Sequence, residues 1–270
     1  GLYKHYINIK TYLHSTNMKG LILVGGFGTR LRPLTLSYPK PLVPFCNKPT
    51  ILHQILALKN VGCDQVVLAV NYHPKAMIEE TKDYEKLYGI EVVYSIEDEP
   101  LGTAGPIKLA EKYLNDGDPF FVMNADITCE FPLGALLAFH KNHGKEGTIM
   151  VTTVKDPSKY GVVLSKDNGQ ISSFVEKPKD FVGDRINAGI YIFNAAVLKR
   201  IKLEPTSLED KIFVAMVNDA SLYCMQLDGF WMDVGQPKDY ITGMDLYLNS
   251  NIAKQNETLA ESTDDYTIQG

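Results

Sequence analysis

Cysteine is scarce in this chain of 270 residues: there are four, and none of them forms a Cys-X-X-Cys pair. This spacing excludes the usual zinc-binding patterns and a disulfide framework, so we expect reduced thiols in a cytosolic protein. No apolar run approaches the roughly 20 residues that a membrane-spanning helix needs. The net charge of -5 provides no general excess of basic residues, which argues against a nucleic-acid polymer as the partner.

The N-terminal residues 1 to 17 also lack something, namely the apolar segment of a secretory signal. They carry Lys4 and Lys10 but no acidic residue, and the chain begins with Gly1 rather than methionine. We therefore interpret them as an N-terminal extension, disordered or of artificial origin, and expect a cytoplasmic location.

The most informative segment runs from residue 18 to 50 and reads MKGLILVGGFGTRLRPLTLSYPKPLVPFCNKPT. Its apolar run ends in a glycine turn, and cations follow: the residues are Val24, Gly25, Gly26, Phe27, Gly28, Thr29, Arg30, Arg32 and Lys40. This pattern predicts a buried strand that leads into a turn whose N–H groups can approach phosphate oxygens, because no Cβ intervenes. The cations behind the turn would neutralise a bound polyphosphate.

Two better-known phosphate loops do not match this segment. A dinucleotide-binding fingerprint requires a third glycine that opens a helix, and a P-loop requires Gly-Lys followed by Ser or Thr, which the chain lacks. Prolines at positions 33, 39, 41 and 44 prevent a regular helix after the turn. The segment is therefore expected to wrap around its ligand as an extended arm.

Strand-like and helix-like segments alternate up to about residue 154, which predicts an α/β domain with a mostly parallel sheet flanked by helices. The predicted strands here are Lys19–Val24, Gln65–Val70, Ile90–Tyr94, Phe120–Asn124 and Thr148–Val154, and the predicted helices are Ile51–Asn60, Lys75–Leu87, Ala104–Leu114 and Leu133–Asn142. Further strands are predicted at Tyr160–Ser165, Ile171–Glu176, Arg185–Phe193 and Leu222–Leu227, and helices at Leu208–Val217 and Lys238–Leu248. The second group of strands is expected to add antiparallel strands beside a ligand cleft at the carboxyl ends of the parallel strands.

Several motifs, in this order, carry a resemblance to a known family. They are GGFGTRLRPLT, PKPLVPFCNKP, EPLGTAGP (99–106), FFVMNAD (120–126), PSKYGVV (157–163), FVEKP (174–178), INAGIYIF (186–193) and GFWMDVGQPKD (229–239). Together they resemble the sugar-phosphate nucleotidyltransferases, and among these most closely the catalytic, beta-type guanylyltransferases that act on mannose 1-phosphate. The resemblance implies a Rossmann-like nucleotidyltransferase fold with a mixed, mostly parallel sheet.

The resemblance also implies an activity: transfer of GMP from GTP to α-D-mannose 1-phosphate, giving GDP-mannose and pyrophosphate. It implies Mg²⁺ as the cofactor, and a regulatory alpha-type subunit or a homo-oligomer as the assembly partner. It places the catalytic domain at residues 18–250. Residues 251–270 are then expected to be a tail toward a left-handed β-helix of hexapeptide repeats, most of which this chain lacks.

The site residues that the resemblance implies fall into four groups. Arg30 and Lys177 are assigned to catalysis. The nucleotide is assigned to Leu23, Gly25, Gly26, Gly28, Thr29, Arg30, Lys40, Gly102 and Asn124. The sugar phosphate is assigned to Asp126, Gly161, Glu176, Lys177 and Asn187. The metal is assigned to Asp126 and Asp233, because Mg²⁺ takes few protein carboxylates and otherwise prefers phosphate and water oxygens.

Two alternatives remain open at the level of the sequence. One is a catalytically silent regulatory paralogue that binds GDP-mannose, and the other is a related enzyme that uses glucose 1-phosphate with UTP or dTTP. Arg30, Asp126, Lys177 and Asp233 are all present, which favours an active enzyme. His140 and His143 lack an evident acidic or cysteine partner, so they are expected to face solvent on a helix rather than to bind a metal.

Overall fold

The computed structural model describes residues 18–254 except Phe27 and Tyr72, so the predictions for residues 1–17 and for most of the tail lie outside the described residues. The strands are β1 (Lys19–Val24), β2 (Pro44–Phe45), β3 (Lys48–Pro49), β4 (Gln65–Val70), β5 (Glu91–Ile96), β6 (Phe120–Asn124), β7 (Ile127–Cys129), β8 (Gly147–Thr153), β9 (Gly161–Ser165), β10 (Ile171–Glu176), β11 (Arg185–Phe193), β12 (Leu222–Gln226) and β13 (Trp231–Asp233). The helices are α1 (Thr50–Val61), α2 (Pro74–Thr81), α3 (Tyr84–Tyr88), α4 (Gly105–Leu109), α5 (Glu111–Leu114), α6 (Leu133–His143), α7 (Val214–Asn218) and α8 (Pro237–Ala253). A π-helical turn at Leu208–Phe213 and 3-10 turns at Thr29–Leu31, Leu34–Leu36, Lys40–Leu42 and Ala195–Arg200 complete the described elements.

The central sheet has a parallel half and an antiparallel half, and in the described residues it contains nine strands. β1 pairs in parallel with β4 on one side and β6 on the other, and β4 pairs in parallel with β5. β11 pairs in antiparallel fashion with β6, β8 and β9. β9 in turn pairs in antiparallel fashion with β10, and β12 pairs in parallel with β8. The predicted α/β fold with a mixed, mostly parallel central sheet is confirmed.

Both faces of the sheet are buried, because side chains of successive strand residues point to opposite faces. Leu21 and Val67 contribute to the hydrophobic core on one face, whereas Ile22 and Leu68 contribute to the core on the other. Such double burial is expected where helices cover a parallel sheet on both sides, and it explains the nearly continuous apolar runs of β1 and β4.

A third, smaller core fixes the proline-rich arm that follows the glycine turn. It contains Leu31 and Phe45 from the arm, together with Val234 and Tyr240, and each of these is at most 7% exposed. Tyr240 belongs to α8 and donates its hydroxyl to the carbonyl of Pro44. The arm is therefore held against residues that lie about 200 positions later in the chain.

The predicted helix Lys75–Leu87 is wrong as a single element, since α2 ends at Thr81 and α3 begins at Tyr84. Thr81 donates its hydroxyl to the carbonyl of Met77, a local bond that tends to bend a helix. Tyr84 is 4% exposed, so the break allows its ring to be buried. The predicted helix Ala104–Leu114 is likewise divided, at Ala110.

Two further sequence expectations concern the chain as a whole. All four cysteines lie in the described part of the chain and are free thiols. Among the described residues, no helix combines the length and the apolar character needed to cross a bilayer.

The prediction that His140 faces solvent is wrong, because this residue is only 1% exposed. Its Nδ1 lies 2.8 Å from the Thr148 hydroxyl and its Nε2 lies 3.1 Å from Oδ1 of Asn194. His143 is half-buried, with Nε2 2.7 Å from the same hydroxyl, and its ring stacks on Tyr223 at a centroid distance of 4.2 Å. Sequence reasoning missed Thr148 and Asn194 because neither is an acid or a cysteine.

The tautomers of the two histidines follow from their partners. The amide of Lys145 donates to Nδ1 of His143, so its Nε2 carries the proton and donates to Thr148. The Asn194 oxygen can only accept, so Nε2 of His140 is protonated and Nδ1 accepts from Thr148. Both rings are thus neutral in the folded protein. Burial lowers the pKa of His143 to about 4 and also lowers the pKa of His140.

We predict that this pair makes the fold less stable as the pH falls. Because the folded pKa values lie below the unfolded value of about 6.5, the unfolded chain binds more protons as the pH falls from about 6.5 toward 4, and stability is lost over that range. His143→Phe keeps a ring on Tyr223 but cannot titrate, so its melting temperature should fall less steeply between pH 7 and pH 5. Parallel melting curves for the two proteins would contradict this assignment.

Candidate active site

The glycine turn lies at the carboxyl end of β1, where the sequence predicted a phosphate loop. Gly26 and Gly28 adopt φ values of 87° and 63°, a left-handed conformation that favours glycine. The carbonyl of Gly28 accepts the Thr35 hydroxyl at 2.6 Å, and a Cβ at Gly28 would lie 2.9 Å from Thr35 and 3.2 Å from the Lys40 side chain. The arm therefore folds back over the turn and brings Lys40 to it.

A cavity of about 330 Å³ opens beside this turn, at the carboxyl ends of β1, β4, β5 and β6. Seven of the predicted site residues line this cavity: Leu23, Gly25, Gly26, Lys40, Gly102, Asn124 and Asp126. Other residues that line it were not predicted from the sequence, among them Asn71, Glu97 and Thr103. Asn71 and Glu97 follow directly after β4 and β5, which is the only signal that would have revealed them.

Two short strands that were not predicted bring the proposed metal ligands together. β13 pairs with β7 in antiparallel register, with Asp233 opposite Ile127, and the amide of Val234 donates to the carbonyl of Asp126 at 2.8 Å. The pKa of Asp233 is raised, first by burial and then by the negative charge of Asp126. The two carboxylates are therefore close enough to repel each other, although they are 107 positions apart in the chain.

Two cations offset this repulsion. Nζ of Lys40 lies 2.6 Å from Oδ2 of Asp126. A methyl group placed on Gly235 would lie 2.8 Å from Oδ1 of Asp233, 3.3 Å from Nζ of Lys40 and 3.6 Å from Nη2 of Arg30. Arg30 and Lys40 both counteract the raised pKa of Asp233. The sequence assigned these four side chains separately, and the structure places them in one cluster, which we call the charge cluster (Arg30, Lys40, Asp126 and Asp233).

A buried glutamine holds the loop that carries Asp126. Nε2 of Gln54 donates to the carbonyl of Asn124 at 2.8 Å and to the carbonyl of Ile127 at 3.1 Å, so that one amide bridges the residues on both sides of Asp126. Gln54 lies on α1 and is fully buried. Nothing in its local sequence pattern distinguishes it from any other polar residue on a helix.

A second cavity, of about 390 Å³, adjoins the first, since Gly102 and Thr103 line both. Its other residues include the predicted Glu176 and Lys177, together with Glu209, which was not predicted. The Thr103 hydroxyl donates to Oε2 of Glu209 at 2.6 Å and accepts the amide of Leu208 at 2.7 Å. Thr103 therefore connects the walls of the two cavities.

The backbone at Lys177 is held firmly, whereas its side chain is not. Its φ is 42°, and its amide donates to the carbonyl of Tyr160 at 3.1 Å. Its ammonium lies 2.9 Å from Oε1 of Glu176, and the side chain is 64% exposed. The hydrogen bond to Glu176 raises the pKa of Lys177. A Cβ on Gly161 would lie 2.4 Å from the Phe174 ring and 2.8 Å from Oε2 of Glu176. The Glu176 carboxylate therefore packs directly against the backbone of Gly161, where a side chain would not fit.

Asn187 is not among the described residues that line either cavity. Its amide donates to the Tyr191 hydroxyl at 2.9 Å and its oxygen accepts the amide of Gly189 at 3.0 Å. A Cβ on Gly189 would lie 2.8 Å from the amide of Asn124, so Asn187 and Asn124 lie on either side of one glycine. Asn187 thus shapes the strand between the two cavities.

Tyr160 and Trp231 pack against each other near Asp233 of the charge cluster. Their rings meet edge to face at 5.6 Å, and the indole N–H of Trp231 donates to the carbonyl of Ala188 at 2.9 Å. Burial raises the pKa of Tyr160, and the charge of Asp233 raises it further. Tyr160 was not singled out from the sequence.

The charge cluster suits a divalent cation. No group of three or more acidic, histidine or cysteine side chains with metal-site geometry occurs within residues 18–254 as described. A pair of carboxylates is nevertheless the usual protein contribution to a Mg²⁺ site that is completed by phosphates and water. The ammonium of Lys40 already places a positive charge on Asp126, which shows that this oxygen accepts a cation.

Comparison with known proteins agrees with this architecture. Residues 19–250 match the nucleotidyl transferase family, so the chain is a member of this class of enzymes. It is 65% identical over 244 residues to the mannose-1-phosphate guanylyltransferase catalytic subunit beta of Dictyostelium discoideum, covering 90% of this chain and 68% of that protein. It is 59% identical over 256 residues to the mannose-1-phosphate guanyltransferase of Hypocrea jecorina, covering 94% and 70%. Within its class, the chain belongs to the family of mannose-1-phosphate guanylyltransferases.

A solved structure supports the assignment of the fold. HddC from Yersinia pseudotuberculosis, complexed with GMP-PN, superimposes with a TM-score of 0.68 at 26% identity. The match covers 85% of this chain and 99% of that chain.

We predict that Gly235→Ala impairs catalysis without unfolding the protein, because the added methyl group would enter the charge cluster. Displacing reacting groups by about 1 Å can cost on the order of a hundred-fold in rate, so kcat/KM should fall by at least about ten-fold. Gly134→Ala on α6 is the matched control, since a methyl group there meets nothing within 4 Å. Unchanged kinetics of Gly235→Ala, with the melting temperature retained, would contradict the proposed cluster.

Proposed function

We propose that the protein transfers GMP from GTP to α-D-mannose 1-phosphate and releases pyrophosphate. A sugar-phosphate oxygen attacks the α-phosphorus of the nucleotide, the new P–O bond forms, and the bond to the β-phosphate oxygen breaks. The electron pair of the broken bond leaves with pyrophosphate. Because the attacking phosphate is already an anion, no protein nucleophile is needed.

The observation that carries this proposal is the charge cluster at the edge of the glycine-turn cavity. Two anionic substrates must approach each other in line, and their repulsion must be neutralised. Arg30 and Lys40 provide positive charge beside the first cavity, and Lys177 provides it beside the second. The two cavities adjoin, so a nucleotide in the first and a sugar phosphate in the second would place their phosphates near one another.

The roles of individual residues follow from these positions. The backbone of Gly25 and Gly26 would contact the triphosphate, and the planar guanidinium of Arg30 would hold two of its oxygens as pyrophosphate departs. Lys177 would turn from Glu176 to the sugar phosphate, which its exposed side chain permits. Glu176 would then be free to accept a sugar hydroxyl above Gly161.

Asp126 and Asp233 are the residues that would hold Mg²⁺. When bound there, the metal supplies positive charge to the phosphate oxygens and orients them. The aspartates themselves would fix that charge beside the first cavity, which Asp126 lines.

The choice of guanine is supported by Glu97, which is 7% exposed and lies on the wall of the first cavity. The amide of Leu101 donates to its Oε2 at 3.0 Å, which orients the carboxyl group. Burial raises its pKa, so a ligand that donates hydrogen bonds to the carboxylate would be favoured. Guanine offers N–H donors at N1 and at its 2-amino group, whereas uracil and thymine offer a single imide N–H. The relatives reported above act on mannose 1-phosphate, which supports the sugar assignment.

A catalytically silent regulatory subunit is the second candidate, and the complete charge cluster argues against it. A subunit that only binds GDP-mannose has no need for two carboxylates and two cations in one cluster. We further propose a cytoplasmic location, in keeping with the free thiols. An alpha-type subunit or a second copy of the chain is the proposed assembly partner.

The proposed function predicts Mg²⁺-dependent release of pyrophosphate from GTP and mannose 1-phosphate. A panel of GTP, ATP, UTP and dTTP with mannose 1-phosphate and glucose 1-phosphate should give the highest kcat/KM for GTP with mannose 1-phosphate. Binding of these substrates without turnover for any pair would replace this proposal with the regulatory one.

A second prediction concerns Glu97→Gln, which keeps the size of the side chain but presents an N–H donor to guanine. Loss of a hydrogen bond to a buried charged group costs about 1.5–3 kcal/mol, so kcat/KM for GTP should fall by roughly ten-fold to a hundred-fold. The KM for mannose 1-phosphate should be unchanged. Glu99→Gln, an exposed residue on the same loop, is the matched control. Equal GTP kinetics in both variants would mean that Glu97 does not contact the base.

A further inference from the structure

Lys40 occupies the position that the proposed function assigns to a metal ion. Its Nζ lies 2.6 Å from Oδ2 of Asp126, and only 12% of the Lys40 side chain is exposed. The same ammonium lies within the charge cluster, because it counteracts the raised pKa of Asp233 and would lie 3.3 Å from a methyl group on Gly235. In this structure Lys40 thus neutralises the carboxylates that would otherwise hold a divalent cation.

The backbone at Lys40 is fixed, so that only the side chain is free to move. Lys40 lies between Pro39 and Pro41 and is the first residue of the 3-10 turn Lys40–Leu42. Its carbonyl accepts the amide of Val43 at 3.3 Å. Val43 is 2% exposed and belongs to the third core. The long, flexible side chain of lysine ends in a compact charge that can exchange one anionic partner for another.

Lys40 has a second anion-binding surface within reach. It lines the first cavity together with Gly25 and Gly26, where the triphosphate is proposed to bind. A carboxylate and a triphosphate would therefore compete for the same ammonium. A metal ion that arrived alone would have to displace Lys40 and leave a mostly buried ammonium without a partner, which is unfavourable.

We propose that Lys40 is a stand-in cation that makes metal binding depend on the nucleotide. Without nucleotide, Lys40 stays on Asp126 and keeps metal affinity low. When the triphosphate binds, Lys40 transfers from Asp126 to the phosphates, and Asp126 becomes available to a divalent cation. This inference rests on the proposed function, and it gives Lys40 a role that phosphate binding alone does not include.

Arg30 provides the matched comparison. It is the other cation of the charge cluster, yet the ion pairs among the described residues include Lys40 with Asp126 and none from Arg30. If Lys40 acts by occupying the carboxylate, its removal should have a larger effect on metal binding than removal of Arg30. If only the summed positive charge matters, the two removals should have similar effects.

The test is a titration of the purified full chain with Mn²⁺ in the absence of nucleotide, monitored by electron paramagnetic resonance. Lys40→Met keeps the length of the side chain and removes the charge, so Mn²⁺ should bind at least about ten-fold more tightly than to the wild type. Arg30→Met should change the Kd by less than about three-fold, and Lys40→Arg should bind as weakly as the wild type. The gain should disappear in Lys40→Met combined with Asp126→Asn.

Circular dichroism checks the folding of each variant, and Lys40→Gln serves in place of Lys40→Met if Lys40→Met does not fold.

Adding a non-hydrolysable GTP analogue should tighten Mn²⁺ binding to the wild type and remove the advantage of Lys40→Met. Equal Mn²⁺ affinity of wild type and Lys40→Met without nucleotide would overturn the proposal, as would an equal gain in Arg30→Met. Failure of the proposed function would be seen differently, as an absence of turnover with every substrate pair, and would not alter the comparison of Mn²⁺ affinities without nucleotide.

Discussion

The candidate active site depends on keeping two negatively charged carboxylates, those of Asp126 and Asp233, close together. Asp126 and Asp233 come from distant parts of the chain, and their mutual repulsion opposes the pairing of β7 with β13. Three interactions offset this repulsion: backbone hydrogen bonds beside the two strands, the hydrogen bonds of the Gln54 amide to the Asp126 loop, and the positive charges of the arm. The third core, in which Leu31 and Val234 are buried, keeps arm and strand in contact.

The cleft has two parts. The parallel half of the sheet ends in the glycine turn and the buried Glu97, which we propose bind the nucleotide. The antiparallel half carries Glu176 and Lys177, which we propose bind the sugar phosphate. Gly102 and Thr103 form the boundary, and the bond from Thr103 to Glu209 ties the two halves together. Lys40 and Asp126 of the charge cluster line the first cavity together with Gly102 and Thr103.

The sequence predicted the sheet and the glycine turn because those signals are local, whereas most other cleft residues were assigned only through the resemblance to a known family. The glycine turn at Gly25, the strand before it and the aspartate after β6 can each be recognised within a few residues. β7 and β13 were not predicted because three residues are too few to show an alternating pattern of apolar and polar side chains. The burial of His140, the bridge made by Gln54 and the ion pair of Lys40 with Asp126 depend on contacts between residues far apart in the chain, or on uncharged partners, so no short segment contains them.

The central claim is that Asp126 and Asp233 form a metal site beside the first cavity. The most direct measurement is a crystal structure with Mn²⁺ and a non-hydrolysable GTP analogue, in which anomalous scattering locates the metal. The account predicts one strong peak within about 2.2 Å of an oxygen of each aspartate and of the nucleotide phosphates, with the Lys40 ammonium moved from Asp126 to the triphosphate. A metal bound to the phosphates with neither aspartate in contact would contradict it.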